Sequence, residues 1–412
     1  MKISTVASSE CGMGVAADLY ESLISDLGAD PDLVIVYCSI DYDIDSIVKI
    51  VTSRTPNASL HGGTSCMGAM TQDGAVTEKG SGIALMGIVD PEGSYGVGVV
   101  SCGDSPEKAA EDAVKAALKK ADRPGEVPAM IWLTTMPGGE EAVLRGIGNI
   151  VGEDVPVAGG SSADNSINGE WKQFGNNAVY SDGIVVTVLF PSTEVMFAFH
   201  SGYEPTEAKG IITKVGGFEA TGQKGVATSA GKRTLYEIDG HPAAKVYNEW
   251  VGGTLSEVID EGGNILHLTT LNPLGRIAGY IGDIPYYQLA HPEAVTPDGA
   301  ITLFADISKG DEIALMRGTV DSLISRAGRV AVAALETTQA DSTDIAGALV
   351  VYCAGCMLTV QERLDEVVES FQKALPNTPF LGTFTFGEQG CFLSGENRHG
   401  NLMISVLLIA KE

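Results

Sequence analysis

Apolar and polar positions along this chain follow two alternating rhythms. Short, nearly continuous apolar runs, such as "DLVIVYCSI" (32–40), "AMIWLTT" (129–135) and "GALVVYCAG" (347–355), predict strands buried on both faces. Between them stand amphipathic stretches of helical period, such as "GMGVAADLYESLISDLG" (12–28), closed by Gly28. "SPEKAAEDAVKAALKKA" (105–121) adds a Ser105 N-cap, Pro106 in the first turn and lysines at the far end, which complement the helix dipole.

The order of these elements recurs. In the first pass, strand, helix, the strand at 32–40 and the helix "DSIVKIVTSRTP" (45–56) lead to "ASLHGGTS" and the strand "GSGIALMGIV" (80–89). In the second, "SYGVGVVSCG", the helix at 105–121, "AMIWLTT", the helix "GGEEAVLRGIGNIV", "VPVAGGSS" and "DGIVVTVLF" keep the same order. Leu33 precedes Gly62 by the same interval as Met130 precedes Gly159. A third pass begins with "DEIALMRG" (311–318) and runs through the helix at 320–337, "VVYCAG", the helix at 360–375 and "FLGTFTFGE" to "NLMISVLLIA". The expected fold is α/β: three repeated modules with mixed sheets.

Between the second and third modules, 193–309 reads as an inserted β-rich segment. Its strand-like runs are "VMFAFHSGY", "GIITKVGG", "KRTLYEIDG" and "AITLFADI", with one helix, "HPAAKVYNEWVG" (241–252). The expected divisions are 1–192, made of repeats at 1–92 and 93–192, then 193–309, then 310–412.

Composition narrows the function classes. The 412 residues carry a net charge of −27, spread along the chain, which disfavours nucleic acid and anionic lipid. No run reaches the ~18 apolar residues of a membrane span, and the first residues lack a signal-peptide core. A cytoplasmic protein without membrane insertion is expected. The seven scattered cysteines suggest reduced thiols rather than a disulfide framework.

Candidate chemistry concentrates at the repeated glycine-hydroxyl segments. Gly62, Gly63, Thr64 and Ser65, then Gly159, Gly160, Ser161 and Ser162, then Thr383 and Thr385 end strands at matched places. Read as turns, they expose backbone N–H groups and hydroxyls toward a shared cleft; the alternative is tight turns between packed elements. "CAGC" (353–356) has a strand before it and a helix after it, which makes Cys353 a pocket-wall or redox candidate. Arg276, Arg317 and Arg398 stand out because basic residues are scarce, and they suit a carboxylate. Glu388 could pair with an amine, and Tyr247 and Asn248 lie on the inserted helix. Together these would hold an amino-acid-like zwitterion.

Other motifs are weaker. "GVATSAGKRT" fails as a phosphate loop: Gly225 to Gly231 is one residue too long, and Arg233 stands where Ser or Thr must reach Mg²⁺. Gly12, Gly14 and Ala17 form a G-x-G-x-x-A pattern without a clear acidic ribose partner. The histidines form no H-x-x-H or H-E-x-x-H pair, and nothing in the spacing suggests a catalytic triad or metal site.

The ordered series "TLYEIDGHPAAKVYNEWVG", "NPLG", "ITLFADISKGDEIALMRG", "VVYCAG", "FLGTFTFGE" and "NRHGNLMISV" resembles the FIST sensory domain family. "HGGTS" and "AGGSS" resemble its N-terminal part, so the resemblance covers nearly the whole chain. It departs at Cys356, where an arginine commonly follows "CAG". The resemblance implies a non-catalytic module of signal transduction that binds a small molecule such as an amino acid. It also implies an output partner, such as a histidine kinase. No cofactor is expected under this reading. Some family members resemble haem-binding nitric-oxide sensors, for which His241 or His200 would be the axial candidates. A redox or nucleotide-dependent enzyme is the remaining alternative.

Overall fold

The computed structural model describes residues 1–12, 14–216, 232–281 and 283–411. The phosphate-loop-like Gly225 to Gly231 stretch lies outside these residues. The first module comprises β1 (Lys2–Ser8), α1 (Val15–Leu27), β2 (Leu33–Cys38), α2 (Ile44–Arg54), β3 (Ser59–Thr64), the short strands β4 (Ala69–Thr71) and β5 (Gly74–Val76), and β6 (Ile83–Val89). The second repeats this order with β7 (Ser94–Ser101), α3 (Pro106–Lys120), β8 (Met130–Thr135), α4 (Glu140–Val151), β9 (Val157–Ser161), β10 (Gln173–Gly175), β11 (Ala178–Tyr180) and β12 (Gly183–Phe190).

The third module opens with β13 (Val195–His200), which pairs antiparallel with the last strand of the chain. The insert then intervenes. Its strands are β14 (Glu204–Gly216), β15 (Thr234–Ile238), β16 (His241–Pro242), β17 (Gly263–Asn264), β18 (Leu274–Ile281), β19 (Ile284–Ala290), β20 (Pro292–Val295), β21 (Ile301–Leu303) and β22 (Glu312–Arg317). They form one nine-stranded sheet, with α5 (Ala243–Trp250) and the short α6 (Leu266–Thr269). The module resumes with α7 (Val320–Glu336), β23 (Ile345–Cys353), α8 (Ala354–Thr359), α9 (Leu364–Ala374), β24 (Phe380–Thr385), β25 (Glu388–Cys391), β26 (Asn397–Gly400) and β27 (Ile404–Ala410).

One expectation is therefore corrected. "DEIALMRG" does not open the third module; as β22 it pairs with β14 and β18 of the insert. The opening strand is "VMFAFH" (β13), which lies within the 193–309 segment expected to be insert but pairs with β27. Both segments are apolar enough for a strand, so composition does not separate them; long-range pairing does.

Each module forms a mixed four-stranded sheet, and each sheet is completed by a hairpin from another module. β10–β11 extends the first sheet, β25–β26 the second and β4–β5 the third. The hairpins thus pass around the three modules in a closed cycle. The inner faces of the three sheets supply one shared core, including Tyr37, Trp132, Val185, Val351 and Leu407. Helices cover the outer faces: α1 and α2 over the first sheet, α3 and α4 over the second, and α7 and α9 over the third.

Local chemistry agrees with these elements. The Ser105 hydroxyl caps α3 by accepting from Lys108 N–H, Asp43 caps α2, and Thr319 and Ser322 form a reciprocal capping box on α7. The insert has its own core around Leu235, Tyr247, Ile301 and Ile313. Its Tyr287, Leu289, Ala314 and Met316 also join the core beneath α7, which seats it on the third module. Among the described residues, no helix is long and apolar enough to cross a membrane.

Candidate functional site

The three glycine-hydroxyl segments are strands rather than exposed turns. Gly62 and Gly63 lie in β3, Gly159 and Gly160 in β9, and Thr383 and Thr385 in β24, all buried. Close packing accounts for the glycines: a Cβ at Gly62 would sit 2.1 Å from the Phe174 ring, and one at Gly160 would sit 2.4 Å from Thr385 Cγ2. A Cβ at Gly63 or Gly159 would also come within 3 Å of its neighbours. The hydroxyls point inward. Thr64 Oγ1 accepts from Lys172 N–H, Ser65 Oγ accepts from Phe384 N–H, Ser162 Oγ donates to the Lys172 carbonyl, and Ser161 Oγ donates to Glu140 Oε1. Thr383 Oγ1 is buried without a partner among the described residues.

These strand ends are hydrogen-bonded to one another. Thr64 and Ala163 connect the first two modules, Cys66 N–H reaches the Phe384 carbonyl of the third, and Ser161 exchanges bonds with Phe386 and Gly387. Immediately beyond this junction lies a cavity of about 220 Å³. All three modules and the insert contribute to its wall: Cys66 from the first, Gly138, Glu140, Asp164 and Trp171 from the second, Arg233, His291, Glu293 and Phe304 from the insert, and Cys353, Gly355, Thr385 and Phe386 from the third. The recurrent segments thus converge on one hollow, which is lined by Thr385 and by the residues that follow the segments.

The second-module loop is tightly held. The Asp164 carboxylate accepts from the N–H groups of Ser166, Ile167, Asn168 and Glu170. Ile167, which lines the cavity, adopts φ 57°, a strained conformation for a β-branched residue. Trp171 packs edge-on against Phe386, with ring centroids 6.1 Å apart, and its indole N–H has no partner among the described residues.

Charge gathers on one side of the cavity. Arg233 Nη2 lies 2.9 Å from Glu140 Oε2 and 2.7 Å from Glu141 Oε2, while Nε lies 2.9 Å from Asp306 Oδ1. Burial alone would raise the Glu141 carboxyl, but the Arg233 charge outweighs it and holds the group at about 2. Asp306 moves the other way, raised by burial and by Glu141. Glu293 accepts from Thr302 Oγ1, and burial raises its carboxyl. One guanidinium thus faces three carboxylates, leaving an acidic surplus beside the aromatic wall of Trp171, Phe304 and Phe386.

Of the residues singled out in the sequence, Cys353 and Thr385 line the cavity. Glu388 lies behind Thr385, accepts from its hydroxyl at 2.8 Å and from Met403 N–H at 3.0 Å, and is pushed up to about 8 by burial. The structure places the others elsewhere. Tyr247 is in the insert core with its hydroxyl on the Asn272 carbonyl, and Asn248 accepts from Leu255 N–H. Arg276 pairs with Asp311 and donates to Gln288; Arg398 pairs with Glu396; Arg317 is exposed. His241 is exposed on β16, and His200 is part-buried on β13. The zwitterion clamp expected from these arginines is not assembled at the cavity.

The charged centre that does line it, Arg233 with Glu140 and Glu293, matches no site motif in the sequence. No sequence signal marks it, because the acid pair Glu140–Glu141 opening α4 is the ordinary complement of a helix N-terminus. Among the described residues, no group of three His, Cys, Asp or Glu is placed to hold a metal ion.

Comparison with known proteins agrees with the ordered motifs. The FIST N domain matches residues 32–217 and the FIST C domain matches residues 243–391. A comparison with curated proteins found no match. Among solved structures, the chain is similar to a cyanuric acid hydrolase from A. caulinodans at 9% identity and TM-score 0.30, covering 62% of this chain and 90% of that one. It is also similar to PurLQS from Thermotoga maritima at 9% identity and TM-score 0.22, covering 77% and 72%. Overlaps this shallow carry no inference about activity. FIST domains are small-ligand sensory domains of signal transduction, and with both of their halves matched in order, this chain belongs to the FIST family.

Proposed function

We propose that the protein is a non-catalytic cytoplasmic sensor whose cavity holds an amino-acid-like amine and whose output passes through a partner such as a histidine kinase. The observation supporting this reading is the cavity itself, walled by all three modules and by the insert. A molecule held there touches parts that are separate in the chain, so its binding energy can bias their relative positions. Pockets at such junctions are the usual place for small ligands.

The wall chemistry favours an ammonium group. Arg233 is already matched by Glu140, Glu141 and Asp306, so a free carboxylate would enter an acidic field. An ammonium would be drawn to Glu140 and Glu293, and an apolar side chain would lie against Trp171, Phe304 and Phe386.

The haem alternative has neither of its expected axial histidines at this cavity. Neither His200 nor His241 lines the cavity. His291 does, but its Nε2–H donates to the Leu266 carbonyl at 3.2 Å, and burial pushes the ring down to about 4.

Thermal-shift and calorimetric screening of amino acids, their decarboxylated amines and their deaminated acids tests the proposal. Amine-bearing members should raise the melting temperature, while the deaminated acids should not. Turnover of a screened compound, or a Soret band on adding haem, would overturn it.

A further inference from the structure

Behind the cavity wall lies a buried cation. Arg326 on α7 is 1% exposed. Its Nη1 donates to the carbonyls of Ser201 and Leu402, and its guanidinium lies over the rings of Tyr203 and Tyr352, at 5.7 and 5.0 Å. Nε and Nη2 have no hydrogen-bond partner among the described residues. An unpaired buried charge is costly, so a neighbouring anion is expected.

The groups facing Arg326 are Tyr203, Tyr352, Cys353, Cys356 and Glu388. Burial raises both tyrosines and pushes Glu388 to about 8, so these three remain protonated near neutrality. Cys356 behaves differently. It is fully buried, with Sγ 3.6 Å from Tyr203 Oη. Burial would raise its thiol, but the Cys353 thiol, the Arg326 charge and Tyr203 together outweigh this and bring it to about 6. Cys353 ends β23 and begins α8, three positions before Cys356, and faces the cavity. One turn of helix keeps two such residues within the Cα separation a disulfide requires.

From this juxtaposition we infer that Cys353 and Cys356 form a redox-active dithiol in the cavity wall, with the Cys356 thiolate as counter-ion to Arg326, and that a small peroxide entering the cavity converts it to a disulfide. The cavity-facing Cys353 sulfur attacks a peroxide oxygen and passes its proton to the Cys356 thiolate. The O–O bond breaks, leaving a sulfenic acid on Cys353 and a hydroxide that takes a proton from solvent. The Cys356 sulfur then attacks the Cys353 sulfur and expels the sulfenic oxygen as water. Two electrons pass from the sulfur pair to the peroxide, and an external dithiol reverses the change. Closure removes the negative charge beside Arg326 and pulls on the 353–355 wall, so the oxidised protein has a different cavity. This holds whether or not the ligand is an amine.

The test is peptide mapping of the full-length protein after reduction, removal of reductant and titration with hydrogen peroxide near stoichiometry. The expected product is a Cys353–Cys356 disulfide, with free thiols falling from seven to five and recovering with dithiothreitol. The unoxidised protein should also show thiolate absorbance near 240 nm at neutral pH, lost in Cys356→Ser and weakened in Arg326→Met. Cys11, the exposed thiol, is the internal control. Oxidation of Cys11 while Cys353 and Cys356 stay reduced, or neutral-pH thiolate absorbance unchanged in Cys356→Ser, overturns the inference.

Discussion

Arg233 of the insert places Nη2 2.9 Å from Oε2 of Glu140, the first residue of α4 in the second module. This pair crosses the side of the cavity and links two parts that no strand pairing joins among the described residues. Both side chains are almost wholly buried, at 7% and 2% exposure, so neither charge has water as a substitute partner. Arg233→Met should therefore destabilise the protein by about 3–5 kcal/mol, because it strands carboxylates in the interior. Adding Glu140→Gln should recover part of that loss. Urea unfolding of both single variants and the double variant measures the coupling.

The strand glycines give a packing test. Gly62→Ala forces a methyl against the Phe174 ring, and Gly160→Ala forces one against Thr385 and Val351. Each should cost about 1–3 kcal/mol in urea unfolding. Gly12→Ala, whose nearest neighbour would be 3.6 Å away, should leave the midpoint nearly unchanged. A large loss at Gly12 with none at Gly62 would contradict the packing account.

The contrast between these glycines also shows which features the sequence carries. Local periodicity is a short-range signal, and it predicts the helices and central strands of each module, including α3 with its Ser105 cap. The exchange of hairpins is invisible to it, because the partners of β4–β5 and β25–β26 are distant in sequence and their pairing depends on how three sheets close around one core. For the same reason β22 resembles the opening strand of a module until its partners are known. At the site, repetition points to Thr385 and its neighbours, since a recurrent strand end marks a junction. Scarcity of basic residues points to Arg276, Arg317 and Arg398; the first and last serve an insert pair and a surface pair, and Arg317 is exposed. Arg233 is passed over because its local context resembles a failed phosphate loop.

Stability should fall on both sides of a mid-range pH. Glu141 is held at about 2, below its ordinary 4.5, so its contribution is present above 4.5 and disappears as pH falls toward 2. His291 is pushed from 6.5 to about 4, so the unfolded chain takes up the proton first and stability drops as pH falls through that interval. Glu388 is raised from 4.5 to about 8; the unfolded carboxyl ionises first, and stability drops as pH climbs between those values. Urea midpoints across this range should show a dome, and Glu388→Gln should flatten its alkaline limb. An alkaline limb identical to wild type would rule out the role given to Glu388.

Trp171→Phe keeps an aromatic ring against Phe386 and removes the unpartnered indole N–H. Folding stability should change by less than about 1 kcal/mol, because no protein hydrogen bond is lost. Affinity for a ligand lying against the Trp171 and Phe386 rings should be little changed, because the indole nitrogen has no accessible surface in the cavity. Calorimetry on the variant and on wild type separates the two effects.

The most direct measurement is a calorimetric titration of an amino-acid and amine panel into wild type and into Gly355→Leu. Gly355 faces the cavity from the first turn of α8, and a Cβ there meets only ordinary contacts, the nearest at 3.6 Å. A leucine can thus fill the hollow without breaking the fold. The prediction is binding of an amine-bearing compound by wild type, weakened at least about tenfold in the variant at an unchanged melting temperature. Equal binding by both proteins would place the ligand elsewhere and contradict the account.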